Sequence, residues 1–189
     1  MDALAAEAVL ARARDGDAEA FRVLVDGHAR RAFALAYRLM GNEQDADDVV
    51  QESFIRAHRR LRGFESRANF ATWFHRIVVN CAIDALRARN ARREDARSDA
   101  VDSIGEAMAS DRPSPERLAH SAEIRRRVDA SLDMLTPQER TAFALRHYEG
   151  RSIDEISQTL RIQESAAKHA VFRAVRKLRT VLEPLRGTT

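Results

Sequence analysis

Two helix starts are written into the C-terminal half of this chain. Thr136-Pro137-Gln138-Glu139 places a hydroxyl at an N-cap, a proline at the first helical position and a carboxylate three residues after the cap. Ser152-Ile153-Asp154-Glu155 repeats the hydroxyl and the carboxylate. In such a box the cap hydroxyl takes a backbone N–H of the first turn, and the glutamate reaches back to the N–H of the cap. The second helix has room only for Ile153 to Leu160 before Arg161-Ile162-Gln163-Glu164 makes a tight turn. A longer helix follows to about Glu183, ended by Pro184 and Gly187. Strand signals, whether alternating β-branched residues or an Asn-Gly hairpin, are missing. The pattern restricts the chain to an all-α fold.

The N-terminal half is helical by spacing. Phe21, Leu24, Val25, His28, Ala32, Leu35, Ala36 and Leu39 recur at helical intervals, and Gly41 suits a C-cap. A second helix begins near Asn42 and turns Ala46, Val50, Phe54, Ala57 and Leu61 inward. After a break at Gly63-Phe64-Glu65-Ser66, a third covers about Asn69 to Arg89. From Glu94 to Glu116 the chain holds seven acids against two arginines, with Pro113-Ser114-Pro115 and no sustained apolar stripe. That composition reads as a flexible acidic linker. A second helical block runs from about Pro115 to Leu185. The organisation expected is therefore two small helical domains, 1–93 and 116–189, joined by a linker over 94–115.

Cys81 is the only cysteine, which excludes a disulfide framework and a cysteine-based zinc site. The N-terminus lacks the basic and apolar regions of a signal peptide, and no apolar run approaches the ~20 residues that span a bilayer. A cytoplasmic protein is expected. The net charge is only +3, so the distribution of charge carries the information.

Charge is sharply segregated between Glu43 and Arg93. Glu43 to Glu52 carries five carboxylates and no base, whereas Arg56 to Arg93 carries ten arginines against Glu65 and Asp84. An acidic face suits a basic protein, and a basic face studded with flat rings suits nucleic acid. This is the pattern of an adaptor more than of an enzyme. On the acidic helix, Asp45, Asp48 and Glu52 share one face, with Gln51, Ile55 and His58 on the same outer side. Three readings stand: a metal or acid–base site, a protein-docking surface, and a solvated face. Helical metal sites usually add a histidine or a second carboxylate-bearing helix, and no such motif stands out. In the segment from Ser66 to Asn80, polar residues flank Trp73, where single-stranded bases could stack. Trp73 and Phe74 could equally be core.

Two short helices joined by a tight turn, the second one basic, form a helix-turn-helix, which lays its second helix in the major groove. In that helix Ala167, Val171, Ala174, Val175, Leu178 and Leu182 can face inward, leaving Ser165, Lys168, His169, Phe172, Arg173 and Arg176 outside. Lys168 and His169 lie near its start, where base edges are read, and Arg173 could reach a guanine or a phosphate. Arg176, Lys177 and Arg179 are placed for phosphates. Phe172 could touch a thymine methyl or pack in the core.

Together these blocks resemble the extracytoplasmic-function (ECF) group of the bacterial sigma-70 family. Asp45-Ala-Asp-Asp-Val-Val-Gln-Glu-Ser-Phe-Ile-Arg-Ala-His58 is similar to region 2.2, which docks on the clamp helices of RNA polymerase. The resemblance implies core-polymerase contacts at Asp45, Asp47, Asp48, Gln51, Glu52, Ile55 and His58. Phe70-Ala-Thr-Trp-Phe-His-Arg-Ile-Val-Val-Asn80 with Asp84-Ala-Leu-Arg87 is similar to regions 2.3 and 2.4, which melt and read the −10 element. It implies −10 contacts at Ser66, Arg67, Asn69, Phe70, Thr72, Trp73, Arg76, Asn80, Arg87, Arg92 and Arg93, with a base flipped from the duplex. Leu135-Thr-Pro-Gln-Glu-Arg140 and the helix-turn-helix are similar to region 4, which reads the −35 element and meets the polymerase flap. It implies −35 contacts at Ser165, Lys168, His169, Phe172, Arg173, Arg176, Lys177 and Arg179.

The recognition helix departs from the family's common Gly-Thr-Val-Lys-Ser-Arg-Leu. It reads Ser165-Ala-Ala-Lys-His-Ala-Val171, with Ala170 and Val175 in place of common arginines. The resemblance thus implies DNA binding without implying a typical −35 sequence. It also implies an acidic linker threading the polymerase cleft, a separate anti-sigma factor that can hold the protein at the membrane, and a dissociable specificity subunit. No catalytic residue, metal or cofactor is expected. A stand-alone regulator with a LuxR-type output domain would share the C-terminal block. It would need a receiver or ligand-binding module ahead of that block, and residues 1–90 show no alternation of strands and helices.

Overall fold

A computed structural model of the chain describes residues 3–64, 69–99 and 131–182. Among the described residues every regular element is helical. The chain divides into two compact units, Met1–Leu86 and Arg87–Thr189.

In the first unit, helix α1 spans Ala3–Arg14, α2 Ala18–Met40 and α3 Glu43–Arg60, followed by a 3-10 turn at Leu61–Gly63; α4, Phe70–Asp99, starts in this unit and runs past its boundary at Leu86. Each junction has a local cause. Asp17 caps α2 by accepting the Ala20 N–H at 3.0 Å. The Arg12 guanidinium donates to the same Asp17 carboxylate at 2.6 Å. The hydrogen bond from Ala20, with that from Arg12, holds the Asp17 carboxyl below its ordinary range. Gly41 ends α2 at φ 85°, a left-handed conformation that costs glycine little. Asn42 then caps α3 by accepting the Asp45 N–H at 2.8 Å. The core joins Leu24, Leu35 and Leu39 of α2 to Ala46, Val49 and Ala57 of α3 and to Phe74, Val78 and Val79 of α4.

Two expectations change here. On α3 the buried line is Ala46, Val49, Ser53 and Ala57, whereas Val50 and Phe54 are half-buried. Small residues let α3 approach α2 closely, and Ser53 is tolerated because its hydroxyl donates to the Val49 carbonyl at 2.6 Å. Helix α4 also continues to Asp99, six residues into the segment expected to be linker. Ala85, Ala88, Ala91 and Ala96 favour helix, and no Gly or Pro intervenes before Gly105. The rest of the expected linker lies outside the described residues.

In the second unit α5 spans Pro137–His147, α6 Ile153–Leu160 and α7 Glu164–Leu182, with residues 131–133 also helical. Both capping boxes form, at Thr136 with Glu139 and at Ser152 with Glu155. Hydrogen bonds from the Ser152 N–H and the Arg151 side chain hold the Glu155 carboxyl below its ordinary range. Between α6 and α7, Arg161 takes φ 54°, ψ 47° and closes α6 by donating its N–H to the Ser157 carbonyl. Helix α7 packs on both α5 and α6. Its buried stripe is Ala167, Ala170, Ala174 and Leu178, at helical intervals of three and four. Ala170 therefore joins the core, and Val175, expected inward, is 39% exposed because it lies a 100° step from the stripe. Leu182's side chain lies outside the described residues.

Candidate nucleic-acid interface

The outer face of α7 is built by default, once its alanine stripe is pressed against α5 and α6. Ser165, Lys168, His169, Phe172, Arg173, Arg176 and Arg179 are exposed, and Lys177 is half-buried. Phe172 is 62% exposed, so its ring belongs to the surface and not to the core. Lys168, His169, Arg176 and Arg179 have no ion pair among the described residues. Arg173 and Lys177 do. Arg173 Nε donates to Glu139 Oε1 at 2.9 Å, and Lys177 Nζ donates to Glu139 Oε2 at 2.7 Å. Lys177 Nζ also reaches the Met134 carbonyl at 3.2 Å.

Glu139 is thus both the capping glutamate of α5 and the partner of two α7 cations. Its Oε2 also accepts the Thr136 N–H at 3.1 Å. Burial pushes its carboxyl pKa up, but the hydrogen bonds from Lys177, Thr136 and Arg173 outweigh this and hold it below the ordinary value. The capping box was legible in the sequence. The ties to residues on a helix two elements further on were not.

At the start of α4, Asn69 accepts the Ala71 N–H at 2.8 Å and acts as its cap. Asn69, Thr72 and Arg76 are exposed, and Trp73 and Asn80 are half-buried. Trp73 leans on Phe64 at 4.9 Å and on Phe70 at 5.6 Å between ring centroids. Phe70 is only 7% exposed, stacked on Phe74 at 5.8 Å and edged by His28 at 5.0 Å, so its ring packs in the core of this unit. Ser66 and Arg67 lie outside the described residues. Further along α4, Arg87, Arg92 and Arg93 are exposed. In the second unit Arg93 Nη1 pairs with Asp133 at 2.6 Å.

On α3, Asp47, Asp48, Gln51, Ile55 and His58 are exposed, and Asp45 and Glu52 are half-buried. Asp45 accepts from the Asn42 amide at 2.9 Å. His58 meets the Phe21 ring edge-on at 4.8 Å. Glu52 accepts from Arg56 Nε at 2.6 Å, and Arg56 Nη1 donates to Asp84 at 2.8 Å. Asp84, with Glu52, keeps Arg56 firmly protonated. Asp84 is therefore an ion-pair partner of Arg56. Cys81 lies in the core beneath, where burial pushes its thiol pKa up. Among the described residues no group of three His, Cys, Asp or Glu side chains is arranged to hold a metal.

Residues 24–92 match the family described as Sigma-70 region 2, and residues 125–178 match Sigma-70, region 4. The chain belongs to the ECF group of the sigma-70 family. Among its relatives, the RNA polymerase sigma-H factor of Pseudomonas aeruginosa is 34% identical, over 92% of each chain. The ECF RNA polymerase sigma factor SigE of Mycolicibacterium smegmatis is 35% identical over 84% of this chain, which spans 60% of that longer relative. Among solved structures, CnrH in complex with the cytosolic domain of CnrY is 28% identical, with a TM-score of 0.60 over 93% of this chain and 96% of CnrH. For this sigma factor, α3 and the greater parts of α2 and α4 fall in region 2, and α5, α6 and most of α7 fall in region 4.

Proposed function

We propose that this ECF sigma factor is a dissociable specificity subunit that docks on core RNA polymerase and directs it to promoters with −35 and −10 elements. The reading is carried by one observation: regions 2 and 4 stand in order in one chain, and each presents the charge its partner needs. Region 2 offers Asp45, Asp47, Asp48, Gln51, Glu52, Ile55 and His58 on α3 to the polymerase clamp helices. Region 4 meets the flap and lays α7 in the major groove, with Lys168 and His169 near the base edges and Arg176 and Arg179 on phosphates. Asn69, Thr72, Trp73, Arg76 and Asn80 hold the melted −10 strand, a role the resemblance also gives Ser66 and Arg67, and Arg87, Arg92 and Arg93 meet its backbone. CnrH is held in a complex with the cytosolic domain of CnrY, which supports a separate protein partner for this chain too, and we read that partner as an anti-sigma factor. Such a partner would hold the protein at the membrane from the cytoplasmic side. Among the described residues no helix is long and apolar enough to cross a membrane by itself.

The test is binding of the purified chain to sigma-free core polymerase, followed by run-off transcription. Asp47→Arg/Asp48→Arg is the informative control because both carboxylates are exposed, whereas changing Glu52 would also break its pair with Arg56. The intact chain is expected to bind, and the double variant to bind at least about tenfold more weakly, ~1.4 kcal/mol. Failure of the intact chain to bind core would overturn the reading in favour of a stand-alone DNA-binding regulator.

A further inference from the structure

The apolar stripe of α7 does not act alone in holding that helix. Both oxygens of Glu139, whose side chain is 4% exposed, are engaged with it: Oε1 by Arg173 Nε, and Oε2 by Lys177 Nζ. The two cations are not equivalent. Among the described residues Arg173 is bound through Nε alone, and its side chain is 49% exposed. A guanidinium has five N–H donors, so its terminal Nη groups stay available in a fixed plane. Lys177 is 33% exposed and has two acceptors already, Glu139 Oε2 and the Met134 carbonyl. We propose that Glu139 is a positioning residue for DNA binding: it pre-orients Arg173 so that its Nη groups meet a phosphate, while Lys177 closes the clamp and makes no DNA contact. This rests on the reading of region 4 as a DNA reader and deepens it. It divides two cations that sequence alone places together on the DNA.

The physical gain is pre-organisation. A free arginine must be ordered when it binds, and one held by a carboxylate loses less freedom at that step. Glu139→Gln isolates the effect. Its single oxygen can still accept the Thr136 N–H and keep the cap, but the amide N–H₂ then competes with the cationic donors and the charge is gone.

The experiment is a double-mutant cycle on the full chain, read as fluorescence anisotropy with a labelled duplex of about 30 random base pairs across a salt series. Glu139→Gln is expected to weaken binding about three- to tenfold when Arg173 is present, the cost of ordering one long side chain. In the Arg173→Ala background it should weaken binding by less than about twofold. Any contact made by the released Lys177 cancels between the two backgrounds. Arg173→Ala should flatten the slope of log K against log salt by about 0.9, and Lys177→Met should leave it unchanged.

Equal losses in both backgrounds would make Glu139 a support of the fold only and overturn the proposal. So would a loss in neither background, or a Lys177→Met slope as flat as that of Arg173→Ala. Circular dichroism confirms folding; if Glu139→Gln does not fold, the slopes of Arg173→Ala and Lys177→Met decide. Arg176→Ala/Arg179→Ala is the separate check on the underlying reading. If that variant and Arg173→Ala all keep the parent slope, α7 does not meet DNA and the region 4 reading itself falls.

Discussion

Arg161 shows most plainly how a single residue shapes region 4. It turns the chain from α6 into α7 with φ 54° and ψ 47°, where a side chain is strained and glycine is not. The left-handed region costs an L-residue roughly 1–2 kcal/mol, partly offset by the greater freedom glycine has when unfolded. Arg161→Gly is therefore expected to raise stability by about 1 kcal/mol in urea denaturation, and a loss would mean that the arginine side chain holds the turn. The tight turn was legible in the sequence, because two helices with a clear cap had to be joined there. The residue carrying the strain was not, because arginine gives no signal for a left-handed backbone. The packing of Phe70 was hidden for a related reason. An aromatic at helical spacing suits both a core and a stacking surface, and its contacts with His28 and Phe74 are not written in the spacing.

At the level of elements, the α5–α7 tie makes region 4 sensitive to acid. The carboxyl of Glu139 titrates below its ordinary value in the folded state. Its contribution to stability is thus fully present above the unfolded value and is lost as pH falls through the folded one. Urea midpoints of the second unit should fall on acidification below about pH 4.5, and Glu139→Gln should fall less over the same window. Equal falls would assign the acid sensitivity to other carboxylates, Glu155 among them. Helix faces were largely readable, since spacing fixes which residues share a side. The edge of a buried stripe was not: Ala170 against Val175 depends on α7 packing on two helices at once. Nor was the length of α4, where alanine-rich propensity carries the helix into an acidic run that composition alone assigns to linker.

Across the whole molecule, each unit rests on a core of its own. Leu39 in the first has 0% exposure and packs among the residues that α2, α3 and α4 turn inward. Leu39→Ala should cost about 2–5 kcal/mol, a large share of the ~5–15 kcal/mol typical of a domain. Urea unfolding followed by circular dichroism checks this, and a loss under about 1 kcal/mol would mean the site collapses around the smaller side chain. Order along the chain was the strongest guide at this scale, because an acidic helix, an aromatic arginine-rich helix and a helix-turn-helix succeed one another as regions 2 and 4 do.

Trp73 is the chain's only tryptophan, and it stands half-buried against Phe64 and Phe70 beside the exposed Asn69, Thr72 and Arg76. Its emission therefore comes from one known spot on the molecule. A base arriving there would change that emission with no dye attached, so the protein carries its own optical probe of strand capture.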